Sequence, residues 1–375
     1  MMQELKITVL PGDGIGREVM APCLALLEEV TAQAGGIRLR FEPHEAGAEH
    51  YLKTGVALPE EALSAAASAD AILLGAMGHP DVRYPNGTEV VPQIDLRDRF
   101  QLYAGLRPVR VFPGVRIPLA DPRASAIDFV IVRESTEGLF AARTESRRDG
   151  DEAVLDTMRI TRRGSERLFE SAFALARRRR RPERAARVTC VDKANVLPSM
   201  AFFRRLFLDC AARHPDIAAD CLYVDAAALR LVQSPWDFDV LVTENMFGDI
   251  LSDLGAGLMG GMGMAPSADV GDAHAVFQPC HGTAPDIAGR GQANPTAMFL
   301  SAAMMLDWLG DRHSVPACQR AARAIEHAVR RAFAGGTLVP VEHGGGAGTA
   351  EIAERVRREI AALELFTAEN AESAE

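Results

Sequence analysis

The sequence predicts an α/β fold. Short, wholly apolar runs of strand length recur along it, stretches of helical periodicity alternate with those runs, and the first run ends in a glycine-rich turn that opens a helix. Lys6 to Leu10 is that first strand and Pro11-Gly12-Asp13-Gly14-Ile15-Gly16 the turn. Glu18 to Val30 is the helix, with Val19, Leu24, Leu27 and Val30 at helical spacing. Leu58 to Ala69 reads as a second helix leading into the strand Ala71 to Leu74. Phe129 to Val132, Val188 to Val191 and Val240 to Val242 read as further buried strands. Between Gly138 and Ile160 the pattern weakens into short polar and β-tending pieces, which suits an arm that leaves the main fold and clasps a partner subunit. The helix Ser165 to Ala176 ends in the run Arg177 to Arg181 and Pro182, where cations suit the negative end of the helix dipole. The acidic end, residues 367–375, is expected to fray.

Composition narrows the function. With 375 residues, 48% apolar and 25% charged, the chain is not disordered, and at roughly 150 residues per domain it favours two domains or one large fold with insertions. A formal charge of −10 offers no general attraction for nucleic acid or an anionic membrane. The five arginines at 177–181 lack the interleaved aromatics of a nucleic-acid footprint. No secretory leader is visible, and no apolar run approaches the ~20 residues needed to cross a bilayer. The cysteines at 23, 190, 210, 221, 280 and 318 form no Cys-x-x-Cys pair, which argues against a zinc knuckle or a disulfide framework. A cytoplasmic protein with reduced thiols is expected.

Five segments are able to carry chemistry. The Gly12 to Gly16 turn invites a dinucleotide reading, but a G-x-G-x-x-G fingerprint needs glycine at 17, where Arg17 stands, so a tight turn bordering a site made elsewhere is preferred. Asp249 and Asp253 lie four apart at a helix start, where they either bind a hard divalent cation or stand as solvated acids favoured by the helix dipole; Asp225 is a third acid after Leu222-Tyr223-Val224. Arg97, Arg107 and Arg133 would grip a di- or tricarboxylate if they converge, and are surface ion pairs if they do not. Lys193, after the strand Val188 to Val191, is a general base if its pKa is lowered and otherwise a surface lysine. His281-Gly282-Thr283-Ala284-Pro285-Asp286-Ile287-Ala288-Gly289, with Asn294-Pro295 beyond, either folds around a flat ring or is a plain loop. In the first case Asp286 would hold ribose hydroxyls and select NAD over NADP.

Taken in order, these segments resemble the metal-dependent β-decarboxylating dehydrogenases of the isocitrate, 3-isopropylmalate and tartrate/D-malate type, from Leu10 through the 344–349 region. The most specific matches are Asn245-Met246-Phe247-Gly248-Asp249-Ile250-Leu251-Ser252-Asp253, Leu106-Arg107-Pro108-Val109-Arg110 and the His281 to Gly289 segment. The resemblance implies an isopropylmalate dehydrogenase-like open α/β sheet without a Rossmann loop. A large cofactor-binding domain would come from both chain ends, 1–103 and 262–375, and a smaller middle domain, 104–261, would carry the dimer interface and the arm. It implies a homodimer with a shared active site, in which Lys193 and Asp225 come from the second subunit as catalytic groups. Asp225, Asp249 and Asp253 would hold Mg²⁺ or Mn²⁺. His281, Gly282, Ala284, Asp286, Ile287 and Asn294 would bind NAD, and Arg97, Arg107, Arg133 and Gln93 a small hydroxy diacid.

Two departures from the family pattern bear on function. Where the family carries a tyrosine that protonates the product enolate, this chain has Phe140, and Tyr84 is the sole nominee as a distant substitute. The segment Val90 to Leu96 shows neither the acidic-Thr-Gly-Leu-Leu pattern of 3-isopropylmalate enzymes nor the Ser-x-Asn pattern of isocitrate enzymes. Thr136-Glu137-Gly138 and Leu106 to Gly114 look closer to the tartrate/D-malate branch, and Gln93 suits a small or polar group at C3. The leading expectation is therefore oxidation, with β-decarboxylation, of a (2R)-malate-type acid such as D-malate or tartrate. The alternatives are 3-isopropylmalate or another 3-substituted malate, and a non-catalytic regulatory paralogue.

Overall fold

A computed structural model describes residues 2–143, 145–182 and 184–363. In chain order the elements begin with β1 (Gln3–Gly12), α1 (Ile15–Ala34), β2 (Ile37–Pro43), α2 (Ala48–Thr54), α3 (Glu60–Ser68) and β3 (Ala71–Ala76). There follow α4 (Pro92–Phe100), β4 (Ala104–Arg110), β5 (Asp128–Glu134), α5 (Gly138–Ala141), β6 (Arg147–Asp149), β7 (Ala153–Leu155), α6 (Arg162–Arg178), β8 (Arg187–Asp192) and α7 (Pro198–Ala211). The last are β9 (Ala218–Tyr223), α8 (Val224–Gln233), β10 (Val240–Thr243), α9 (Asn245–Leu258), β11 (Pro266–Val270), β12 (Ala275–Pro279), α10 (Thr296–His313), α11 (Pro316–Ala334) and α12 (Thr349–Ala362). The acidic end, 367–375, lies outside the described residues.

The chain separates into two compact units. A terminal unit comprises 1–92, 112–116 and 276–375, and a middle unit comprises 93–111 and 117–275. The divisions fall at 92/93 and 275/276 rather than at 103/104 and 261/262. The reason is local: β11 pairs antiparallel with β4, and Asp269 on β11 holds Arg97 of α4 and Arg107 of β4, so both flanking segments belong with the middle unit.

In the terminal unit the strands run in the order β2-β1-β3-β12, all parallel. Strand β3 is buried along its whole length, as its unbroken apolar run requires. Helix α1 buries Val19, Cys23, Leu26, Leu27 and Val30, one stripe at helical spacing. The glycine turn after β1 exists to bring backbones together. A Cβ on Gly12, which has φ +74, would sit 1.8 Å from the Ala76 oxygen, and one on Gly16 would sit 2.4 Å from the Ala76 nitrogen. Asp13 is fully buried and accepts from the backbone N–H of Ala48, Glu49 and Gly78 at 2.8, 2.9 and 2.9 Å. The turn is thus filled by its own chain and leaves no cradle for a pyrophosphate.

In the middle unit the order is β11-β4-β5-β10-β8-β9, with β4 antiparallel to both neighbours and the remaining pairs parallel. Helices α6 and α7 cover one face with an aromatic core in which Phe169 meets Phe203 and Phe207 edge-on at 4.7 and 5.4 Å between centroids. The expected excursion is the small hairpin β6–β7, whose Val154 and Leu155 are exposed. The arginine run is structural: Arg177 pairs with Asp216, and Arg179 with Asp128 and Asp239. Among the described residues no helix is long and apolar enough to cross a membrane.

Candidate active site

The centre of the middle unit is one buried carboxylate shared by arginines. Arg97 on α4 donates through Nε to Asp269 Oδ2 at 3.0 Å, and Arg107 on β4 donates through Nη2 to Asp269 Oδ1 at 3.1 Å. Burial would raise the Asp269 carboxyl, but Arg107, Arg97 and Arg133 outweigh it and hold it at about 2. Arg133, at the end of β5, donates through Nε and Nη2 to Asn245 Oδ1 at 2.9 and 2.7 Å and pairs through Nη1 with Asp249. Its burial, with Arg97 and Arg107 beside it, lowers its guanidinium to about 10 against the pull of Asp249, so it stays charged at neutral pH. The three arginines therefore do converge, and the named groups carry an excess of positive charge that suits a small polycarboxylate.

Helix α9 supplies the acidic side. Glu244 caps its start, accepting from Phe247 and Met246 N–H at 2.6 and 3.1 Å, while Asn245 Nδ2 donates to the Glu137 carbonyl at 2.8 Å. Gly248 leaves room for Arg133: a Cβ there would lie 2.6 Å from its Cγ. Asp253, one turn on from Asp249, has its carboxyl raised by partial burial and by the Asp249 charge. A carboxyl raised by a like charge one turn away fits a hard dication, which would relieve the repulsion.

Lys193 and Asp225 form a second group. The Lys193 ammonium lies 3.0 Å from Asp225 Oδ1, and this hydrogen bond lowers the Asp225 carboxyl. Asp225 stands in the first turn of α8, two residues past the end of β9 at Tyr223. Among the described residues, the tight groups of three metal-ligating side chains are Glu170–Cys210–His214 and Cys190–Asp192–Cys221. Asp225, Asp249 and Asp253 are not among these groups.

Gln93 lies half-buried in the first turn of α4, the helix that carries Arg97. The Phe140 ring stands 5.6 Å from the Arg133 guanidinium carbon. Arg143 ties that segment to α4, donating to the Phe140 carbonyl at 3.0 Å and to Asp95 at 3.1 Å. Tyr84 packs edge-on against Tyr51, 5.3 Å between centroids, beside Val82 and Val90.

The 281–294 loop belongs to the terminal unit. His281 Nδ1 contacts the Gly282 carbonyl at 2.8 Å, while its Nε2 is buried with no hydrogen-bond partner among the described residues. Burial lowers its pKa, so the ring is neutral at neutral pH. Ala284 adopts φ +37, a left-handed conformation that costs on the order of 1 kcal/mol away from glycine. Gly282 has open space around it and Asp286 is exposed. Asn294 donates to Glu342 at 2.7 Å. An orphaned ring nitrogen and an exposed acid on a shaped loop fit a nucleotide.

Two residues that order this architecture escape the sequence reading. Asp269 sits in the short strand Pro-Ser-Ala-Asp-Val, where nothing marks it as the partner of arginines more than 160 positions away. Glu18 looks like an ordinary first-turn acid. In the structure it accepts from Gly289, Gly291 and Ala293 N–H at 3.1, 3.4 and 3.0 Å and from the Thr349 hydroxyl, clamping the far side of the loop. The first glycine turn borders the same loop, since Ile15 N–H donates to the Thr283 carbonyl at 2.9 Å.

A family profile described as isocitrate/isopropylmalate dehydrogenase matches residues 6–356. The 3-isopropylmalate/3-methylmalate dehydrogenase of Methanocaldococcus jannaschii is 42% identical over 95% of this chain and 98% of its own. The 3-isopropylmalate dehydrogenase of Moorella thermoacetica is 42% identical over 95% and 99%. Among solved structures, the isocitrate dehydrogenase of Methylococcus capsulatus superposes with a TM-score of 0.83 at 36% identity, covering 95% of this chain and 99% of that one. A β-decarboxylating dehydrogenase from Thermococcus kodakarensis gives 0.76 at 34% identity, covering 96% of both. The first three carry a 3-substituted malate or isocitrate in their names and the fourth names no substrate, so the lean toward tartrate or D-malate finds no support in them.

Proposed function

The chain belongs to the isocitrate/isopropylmalate dehydrogenase family of β-decarboxylating hydroxy-acid dehydrogenases, and on that premise we propose that it oxidises and decarboxylates a 3-alkylmalate with NAD. The observation that carries the reading is the convergence of Arg97, Arg107 and Arg133 around Asp269, next to Asp249. Two relatives named for 3-isopropylmalate or 3-methylmalate support the alkyl substituent. Gln93 on α4 favours a small one, such as methyl, over isopropyl.

In this reading the arginines bind the carboxylate that is to leave, and their mutual geometry is fixed by Asp269 and Asn245 rather than by the substrate. Lys193, once it has given up a proton and is the neutral amine, takes the 2-hydroxyl proton, and its pairing with Asp225 holds the side chain in place. Mg²⁺ or Mn²⁺ held by Asp249, Asp253 and a second subunit's Asp225 would supply Lewis-acid stabilisation of developing oxyanion charge. NAD, held by His281, Gly282, Ala284, Asp286, Ile287 and Asn294, would accept the hydride. The neutral His281 ring presents an uncharged surface to the cofactor, and Asp286 suits ribose hydroxyls while repelling a 2′-phosphate. Phe140 has no proton to give, so protonation after loss of CO₂ falls to Lys193 or water and is the slow part of the cycle.

A panel of 2-hydroxy diacids with NAD and Mn²⁺, followed by NADH absorbance, tests this. Turnover is expected with 3-methylmalate and 3-isopropylmalate, the former with the higher kcat/KM, and weakly or not at all with tartrate. Turnover of tartrate or isocitrate alone would overturn the assignment.

A further inference from the structure

Cys190 on β8 and Cys221 on β9 stand opposite each other in register on neighbouring parallel strands. Their sulfurs and an Asp192 oxygen all lie within 4.8 Å of one another. Both side chains turn toward the aromatic core. Cys190 is fully buried, whereas Cys221 lies on the outermost strand of the sheet and is partly exposed. Cys190 Sγ donates to Asp192 Oδ2 at 3.8 Å, and Arg204 grips both Asp192 oxygens at 2.7 and 2.8 Å. Nothing in the oxidation of a hydroxy acid uses these thiols. Yet Lys193 follows Asp192 directly, and Asp225 lies two residues past the end of β9.

We propose that Cys190 and Cys221 are a modification site that closes to a reversible disulfide with low-molecular-weight disulfides, drawing β8 and β9 together and displacing the Lys193–Asp225 pair. The effect on turnover rests on the catalytic reading of Lys193; closure of the bond does not. Neighbouring strands are about 4.8 Å apart, inside the Cα range of a disulfide, but the Cβ atoms must come to roughly 3.5–4.5 Å, so closure pulls on both strands. A hydrogen bond with Cys190 and the Arg204 charge hold the Cys221 thiol below its ordinary value against partial burial, whereas burial holds Cys190 well above. Cys221 is accordingly the attacking group. Its thiolate attacks one sulfur of the reagent, forming a mixed disulfide and expelling one thiolate. Cys190 sulfur then attacks Cys221 Sγ, its proton passing to Asp192 and on to solvent, and the second reagent thiol leaves. Two protein thiols lose two electrons, and these reduce the reagent's S–S bond to two thiols.

The test treats the full-length protein with oxidised glutathione, alkylates the remaining thiols after denaturation, maps the peptides by mass spectrometry and assays NADH formation in parallel. Expected are a Cys190–Cys221 peptide pair, turnover reduced about tenfold or more, and recovery with dithiothreitol. Cys190→Ser should trap glutathione on Cys221, and Cys221→Ser should keep its turnover throughout. Glutathione resting on Cys221 of the unsubstituted protein, or no modification of either cysteine, would overturn the site. Closure with unchanged turnover would overturn the coupling to Lys193. A protein that turns over no diacid in either form would sink the functional reading, while the peptide map still decides the disulfide without any variant having to fold.

Discussion

Asp269 holds the Arg97 and Arg107 guanidinium groups, and its charge offsets their repulsion with Arg133 nearby. Replacing it by Asn keeps the shape and removes the charge, so kcat/KM for the diacid should fall about a hundredfold, chiefly through KM, as steady-state kinetics would show. The same substitution changes acid stability. The Asp269 carboxyl is held at about 2 against an ordinary 3.8, a depressed value, so its contribution is complete above 3.8 and is lost as pH falls from there toward 2. That contribution is on the order of 2 kcal/mol, and urea unfolding of Asp269→Asn across this window should show a correspondingly shallower loss. Phe140 makes the opposite kind of prediction. Phe140→Tyr places a hydroxyl on the ring beside Arg133, and because protonation limits the cycle, steady-state formation of NADH and of CO₂ should quicken together, about tenfold or more. Glu18→Gln loosens the clamp on the 289–293 backbone, so KM for NAD should rise about tenfold with KM for the diacid unchanged.

At the scale of elements, the helix α9 and strand β5 depend on one glycine between them. Gly248→Ala would press a methyl against the Arg133 side chain and turn its guanidinium away from Asn245, so the variant should fold but lose diacid affinity in isothermal titration. The buried parallel strands β1, β3, β5, β8 and β10 were legible because each is a short apolar run, and α1 and α6 because their stripes repeat at helical spacing. Strand β4 was not, since Pro108 in its middle argues against a strand with partners on both sides; it is tolerated in an antiparallel position opposite Val130. Helix α10 is buried on nearly every side and shows no amphipathic stripe to read. The arginines and the Asp249–Asp253 pair were legible as residue types near the strands and helix that carry them. Asp269, the shared partner of Arg97 and Arg107, was not, because the β4–β11 pairing is what brings it to Arg107.

At the scale of the molecule, Lys193 and Asp225 pair with each other and not with Asp249 or Asp253 of the same chain. A dimer that shares its sites would account for this division, and mixed variants test it. Mixing Lys193→Ala with Asp253→Asn subunits should restore about a quarter of the native turnover, because half of the dimers carry one intact site and one doubly altered site. Recovery of nothing would place Lys193 and Asp253 in the same chain's site. The most direct measurement of the proposed chemistry is simultaneous: NADH and labelled CO₂ from 3-methylmalate carrying ¹³C in the carboxylate on C3, with Mn²⁺ present. Oxidative decarboxylation predicts equal final yields, with the protonated 2-keto acid appearing after both because Phe140 cannot donate a proton. NADH without CO₂ at completion, or neither product from any 3-substituted malate, would contradict it.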